Sequence, residues 1–307
     1  MSLTIGVDVG GTKVLGGVVD LEGNVLATCR RQTPRDDVRA TRDVIVEVVG
    51  ELAAVHDVEA IGVGVTGLVD AARSTVVFST NLQWRDEPLQ KSVQSAIDLP
   101  IVIENDTNAV AWAEFRYGAA RGAGDSAVMI TVGTGIGGGV VLGGRLLRGA
   151  AGIAGEVGHM VVAPNGIQCG CGRVGCLDRY ASGSALVRFA REGAAARPSA
   201  LSGVDRLTGA MVTDAARAGD AVALEAFGEI AHWLAEGMIN AVRMLDPQVV
   251  VIGGGVAESG DLLMTPLMAS VDEALAARSE WSPVRIRRAM LGNAAGLIGA
   301  ADLARLG

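Results

Sequence analysis

The chain has 307 residues, half of them hydrophobic, with a net charge of −8 and four cysteines. That excludes an intrinsically disordered chain, and an acidic balance without a basic stripe argues against nucleic acid as a partner. No uninterrupted apolar run approaches the roughly 18 residues of a membrane span, and the N-terminus lacks a signal-peptide pattern. The expectation is a cytoplasmic protein with no membrane partner.

In chain order, "LTIGVDVGGTKVLGGVVDLEGNVLATCRRQTP" reads as three short strands joined by glycine turns, with "DLEGN" as a hairpin turn. Residues 39–55 space Val, Ile and Leu as a helix does. "AIGVGVTGLVD" is a strand and turn. "LPIVIENDTNAVAWAEFRYG" is a buried strand running into a helix, with Asp106 near the N-cap and Gly118 as the stop. Residues 1–105 thus read βββαβαβ. "DSAVMITVGTGIGGGVVLGGRLL" then restarts the pattern as strand, glycine turn, strand, turn, strand. "GGVVDLEGNVL" and "GGVVLGGRLL" make a weak internal repeat. Residues 149–181 are irregular, 182–196 and 219–245 helical, and "PQVVVIGGGVAESG" a buried strand ending in glycines. A helix over 261–277, a strand "VRIRRA" and a closing helix "NAAGLIGAADLARL" with small residues on one face complete the chain.

Gly133, Gly135 and Gly138 match the dinucleotide fingerprint G-x-G-x-x-G. That fingerprint must open a helix, because the pyrophosphate sits on the helix N-terminus. Here "GVVLGGRLLRG" follows, β-branched and broken by glycines, so the loop joins two strands. A glycine turn between strands can aim several backbone N–H groups at one phosphate. Two such loops would hold the phosphates of ATP. In "DVGGTK", Gly10 and Gly11 form the turn, Asp8 suits hydrated Mg²⁺, Thr12 offers a hydroxyl and Lys13 a charge. In the second loop Thr131 and Thr134 offer hydroxyls beside Gly133 and Gly135. Gly253, Gly254 and Gly255 end a strand where a side chain would block a flat ring such as adenine. Cys169, Cys171 and Cys176 lie within eight residues, and in a cytosolic chain such clustering favours metal over disulfide.

The stretches "DVGGTK", "ENDTNA", "TVGTGIGGG", "GEVGH", "CGCGRVGCLDRYASG" and "VIGGGV" run in this order over nearly the whole chain. On them the sequence closely resembles the ROK family (repressors, open reading frames, kinases), and within it the bacterial glucokinases. The resemblance implies an α/β, actin-like ATPase (ribonuclease H-like) fold with two α/β lobes around a central cleft. The small lobe would be 1–108 with 293–307. The large lobe would be 109–292, carrying a zinc-binding loop and an oligomerisation surface. His159 with Cys169, Cys171 and Cys176 makes a Cys₃His set, usual for structural zinc.

The same resemblance implies phosphorylation of a hexose 6-hydroxyl, glucose foremost, with ATP, Mg²⁺ and structural Zn²⁺. Position alone would make Asp106 a plain N-cap. The resemblance makes it the general base. Sugar contacts would come from Asn105, Asp106, Glu156, His159, the backbone near Gly67, Asn81 and Asp178. Asp178 departs from the family's usual Glu, one methylene longer, which bears on sugar preference. Other ROK kinases, for N-acetylmannosamine, mannose or fructose, are the alternatives, and behind them a sugar-responsive transcription regulator. Family members commonly form homodimers or homotetramers.

Overall fold

A computed structural model describes residues 2–276 and 284–306. The elements in order are β1 (Thr4–Val9), β2 (Lys13–Val19), β3 (Val25–Gln32), α1 (Val38–Ala53), β4 (Ala60–Val65), β5 (Leu68–Val69), β6 (Val76–Ser79), β7 (Trp84–Glu87), α2 (Leu89–Gln94), β8 (Ile101–Asn105) and α3 (Asp106–Arg116). There follow β9 (Ala127–Val132), β10 (Ile136–Leu142), β11 (Arg145–Leu146), α4 (Asp178–Ala181), α5 (Gly183–Ala196), α6 (Gly209–Arg217), α7 (Ala221–Leu245), β12 (Val249–Gly253), α8 (Asp261–Ala276), β13 (Arg285–Arg288) and α9 (Ala295–Arg305). The expected βββαβαβ start is present. It is interrupted by the small sheet β5-β6-β7, where the sequence pattern shows only a turn. Helix α6 is a further element that the pattern does not announce. Residue 277, the expected end of the helix from 261, lies outside the described residues.

One sheet has the order β3-β2-β1-β4-β8 and the other β11-β10-β9-β12-β13. In the first, β1–β2 and β2–β3 are antiparallel, while β1–β4 and β4–β8 are parallel. In the second, β10–β11 is antiparallel and β12–β13 parallel. The weak sequence repeat is therefore a repeat of sheet plan.

The glycines of the repeat have a packing reason. A Cβ on Gly16 would stand 2.4 Å from Val48 of α1, and one on Gly17 2.9 Å from Leu297 of α9. Successive strand residues face opposite sides of a sheet, so this pair lets a helix close on each face. In the second copy a Cβ on Gly139 would stand 2.5 Å from Ala111 of α3.

The chain forms two compact units. The first comprises Met1–Met129, Gly139–Gly155 and Ala289–Gly307, and the second Ile130–Gly138 and Glu156–Arg288. The expected border at 108 falls inside α3, which packs with α9. Buried Asp302 of α9 accepts from Trp112 Nε1 at 2.8 Å and from the Tyr117 hydroxyl at 2.6 Å. Buried Glu114 of α3 accepts from the N–H groups of Ala119, Met290 and Leu291, which fixes the approach to α9. These locks keep 109–116 in the first unit.

The small residues foreseen on the closing helix let it lie directly on the first sheet. A Cβ on Gly6 would stand 1.8 Å from Leu297 O, and one on Gly62 1.8 Å from Ala300 O. Gly62→Ala must displace a helix backbone, because no side chain is there to yield. It is expected to destabilise by about 3 kcal/mol or more, read from denaturant unfolding.

Candidate active site and metal centre

In the first unit, β8 ends and α3 begins at Asn105–Asp106. Asn105 is the N-cap, its side chain accepting from Asn108 N–H at 2.9 Å. The sequence puts Asp106 near the cap. With Asn105 in that role, the Asp106 carboxylate stands at the head of the helix. Its Oδ2 accepts from the Thr66 hydroxyl at 2.7 Å, and its Oδ1 from Thr107 N–H at 2.8 Å and Asn105 Nδ2 at 3.2 Å. Asn105 Nδ2 also donates to Gly67 O at 2.9 Å. Gly67 has φ +140°, and a Cβ there would stand 2.5 Å from Phe78 O. Gly67, Asn105 and Asp106 are thus one hydrogen-bonded group.

Behind this turn Glu104 is buried. It accepts from Arg148 Nε at 2.7 Å and from Asn108 Nδ2 at 3.0 Å, with Arg73 Nε 3.7 Å away. Sequence reasoning misses Glu104, although it opens "ENDTNA".

The turn of the first glycine loop is closed by Gly10 N–H donating to Lys13 O at 3.0 Å. The Thr33 hydroxyl holds Gly10 O at 2.7 Å, and Thr12 is exposed. Asn81 lies beside this loop, its Cβ 3.6 Å from where a Gly11 Cβ would be. Burial and the charge of Asp106 push Asp8 up to about 6, against a smaller opposing pull from Lys13. Asp106 is raised too, by burial, its hydrogen bonds opposing. Asp8, a buried carboxylate whose proton affinity the neighbouring Asp106 charge raises, is a donor suited to a hard divalent cation.

In the second unit the β9–β10 loop, the start of α5, α6 and the segment after β12 surround a cavity of about 730 Å³. Of the residues assigned to ATP from the sequence, Gly133, Thr134 and Gly255 line it, joined by Ser184, Thr213 and Glu258. A Cβ on Gly255 would meet only open space. Thr131, Gly135, Gly253 and Gly254 do not line it. Gly254 is needed for another reason, since its φ is +88° and a Cβ would stand 2.6 Å from Val132 O. Thr208 caps α6 by accepting from Met211 N–H, and this Thr before an Ala-rich run is the sequence signal for that wall.

The metal centre also lies in this unit. One ligand atom from each of His159, Cys169, Cys171 and Cys176 falls within 4.8 Å of all the others. Cys171 and Cys176 Sγ are 3.6 Å apart, and Cys169 Sγ is 3.7 Å from His159 Nδ1. Tetrahedral zinc with Zn–S bonds of about 2.3 Å separates its sulfurs by about 3.8 Å, so the four residues fit the ion. His159 turns Nδ1 toward the cysteines and leaves Nε2 3.9 Å from Glu156 Oε2. One imidazole can therefore serve zinc and face Glu156. Asp178 does not join this group. Its Oδ1 accepts from Ile136 N–H at 2.8 Å, in the β9–β10 loop.

Among the described residues no helix is long and apolar enough to cross a membrane. A family model described as "ROK family" matches residues 4–306. A glucokinase of Streptomyces coelicolor is 43% identical over 314 residues, covering 99% of this chain and 98% of that protein. The crystal structure of a ROK family glucokinase from Streptomyces griseus in complex with glucose and AMPPNP is 45% identical with a TM-score of 0.89, each chain covered in full. The ROK hexokinase from Thermus thermophilus is 37% identical with a TM-score of 0.85, covering 99% of this chain and 98% of that one. The fold is accordingly the mixed α/β, actin-like ATPase fold of these kinases.

Proposed function

This chain belongs to the ROK family, and from that premise we infer that it transfers the γ-phosphoryl group of ATP to the 6-hydroxyl of glucose. The observation that carries the reading is Asp106, a partly buried carboxylate at a strand-to-helix junction with Thr66, Thr107 and Asn105 fixing its direction.

Phosphoryl transfer asks a protein chiefly for positioning and charge stabilisation. Asp106 takes the proton of the sugar 6-hydroxyl as that oxygen forms its bond to the γ-phosphorus. The bond from phosphorus to the β–γ bridging oxygen breaks, and ADP leaves with its electron pair. Asp8 would hold Mg²⁺, which neutralises phosphate charge when bound. Gly11 and Thr12 offer backbone N–H groups and Lys13 its charge to phosphate, on a turn that Gly10 N–H closes. In the second unit Gly133 and Thr134 take the donor phosphates, and the open face at Gly255 takes the base. In the first unit Asn105, Asp106 and the backbone at Gly67 offer groups suited to sugar hydroxyls, with Asn81 shaping their surroundings, and in the second Glu156 and His159 Nε2 offer such groups. His159, Cys169, Cys171 and Cys176 would hold zinc in a structural role, four protein ligands being a usual structural set.

A coupled ADP-release assay over hexoses and amino sugars tests the assignment. ADP is expected in proportion to glucose, with much slower release for N-acetylmannosamine, mannose and fructose. An equal rate with N-acetylmannosamine would overturn the assignment to glucose. The proposal extends to a cytoplasmic homodimer or homotetramer, which static light scattering at assay concentration reads directly as a mass of two or four chains.

A further inference from the structure

Ile136 is the first residue of β10 and closes the glycine loop assigned above to the donor phosphates. The zinc knot holds its peptide groups on both sides. The Ile136 N–H donates to Asp178 Oδ1 at 2.8 Å. The Ile136 carbonyl oxygen lies so near Gly158 that a Cβ there would stand 2.2 Å from it. Gly158 immediately precedes the ligand His159, and Asp178 follows the ligand Cys176 by two residues. A side chain on Gly135 would in turn meet Asp178 Oδ1 at 2.6 Å.

The segment after Asp178 takes further backbone groups of the loop. Gly183 N–H donates to Gly133 O at 2.8 Å, and the Ser184 hydroxyl to Thr134 O at 2.8 Å. Leu177, between Cys176 and Asp178, is fully buried against α7, where Gly237 leaves room for it. The loop is therefore anchored, through Asp178 and its neighbours, to the covalent continuation of the metal ligands.

We propose that Asp178 is a positioning residue for the phosphoryl donor, and that the zinc knot acts as a clamp on the donor-phosphate loop. This rests on the function proposed above. It replaces the expectation that Asp178 contacts the sugar. An aspartate at this position reaches the Ile136 amide directly. Through it, metal occupancy is coupled to the geometry of the loop that lines the nucleotide cavity.

The test uses the full chain with its zinc, metal content being measured for every variant. Asp178→Ala is expected to raise the KM for ATP roughly tenfold or more while the KM for glucose changes less than about twofold, from loss of a charge-assisted hydrogen bond. Asp178→Asn, whose amide oxygen can still accept from Ile136 N–H, is expected to return the KM for ATP to within about threefold of the parent. Amide hydrogen exchange over 133–138 is expected to accelerate in Asp178→Ala and in the parent stripped of zinc. A raised KM for glucose with an unchanged KM for ATP would overturn the proposal in favour of a sugar contact. If Asp178→Ala does not fold, the Asn variant and the zinc-stripped parent carry the test, and unchanged exchange over 133–138 on zinc removal overturns the clamp. If the parent releases no ADP with any hexose, the functional reading fails, while the exchange measurement still decides whether the clamp exists.

Discussion

Asp106→Asn is expected to lower kcat by roughly 10²–10⁴-fold, the range a general base contributes. The amide keeps the shape of the carboxylate and an oxygen that can accept from Thr66 or Thr107, so the fold and sugar binding are expected to persist. Thermal melting and equilibrium glucose binding check that the loss is chemical. The pH profile provides a second readout. Burial raises Asp106 above the ordinary aspartate value, and Asp8 is pushed up to about 6 by burial and by Asp106. The base works only when deprotonated, so the rate falls as pH drops, and the acid limb belongs to the pair. Mg²⁺ favours the charged carboxylates and is expected to move that limb to lower pH. A variant that turned over normally would remove Asp106 as the base.

The second large effect is loss of the metal centre. Cys176→Ala leaves only His159, Cys169 and Cys171 to hold the ion, in a segment that forms no helix and no continuous strand between 160 and 176. Between 160 and 176 the regular pairing consists of the isolated bridges Val161–Cys176 and Gln168–Val174. Single loop hydrogen bonds such as Cys169 N–H to Arg173 O and Gly175 N–H to Ile167 O supplement them, whereas structural zinc contributes on the order of 10 kcal/mol or more in small zinc modules. The variant is expected to retain well under a tenth of the parent's zinc, to melt at markedly lower temperature and to lose most activity. Metal analysis and melting curves read this without relying on turnover. Binding requires thiolates, whereas burial and the neighbouring cysteines push the metal-free Cys176 thiol up. Zinc is therefore lost as pH falls, and chelation is more effective in mild acid. A Cys176→Ala protein with full zinc and parental melting would refute the four-ligand centre.

The features legible in the sequence share one property: their chemistry lies within a short stretch of chain. Cys169, Cys171 and Cys176 stand within eight residues, and "DVGGTK" and "TVGTGIGGG" are each one turn of a hairpin. The alternation of glycine with β-branched residues is enough to separate strand–turn–strand from strand–turn–helix. Helix α1 is equally plain, since its buried residues Thr41, Ile45, Val48, Val49 and Leu52 recur at helical spacing. The short strands β5, β6 and β7, of two to four residues, are too brief for periodicity to register. Glu104 and Glu114 look like ordinary charges in the sequence. Their burial, and the partners that make it tolerable, come from residues 44 and 176 positions away.

Local pattern in the sequence determined the strand–turn–strand glycine loops and the cysteine cluster, because turn conformation and ligand chemistry are set by neighbouring residues, while the family and the aspartate proposed as base came through the resemblance that its motifs carry. Only the tertiary structure decided that Asn105 takes the helix cap and leaves Asp106 at its head. It also brought α6 to the wall of the cavity lined by Gly133, Thr134 and Gly255 and turned Asp178 to Ile136. A hydrogen bond between groups 42 positions apart depends on where packing brings the backbone, and no local pattern encodes that.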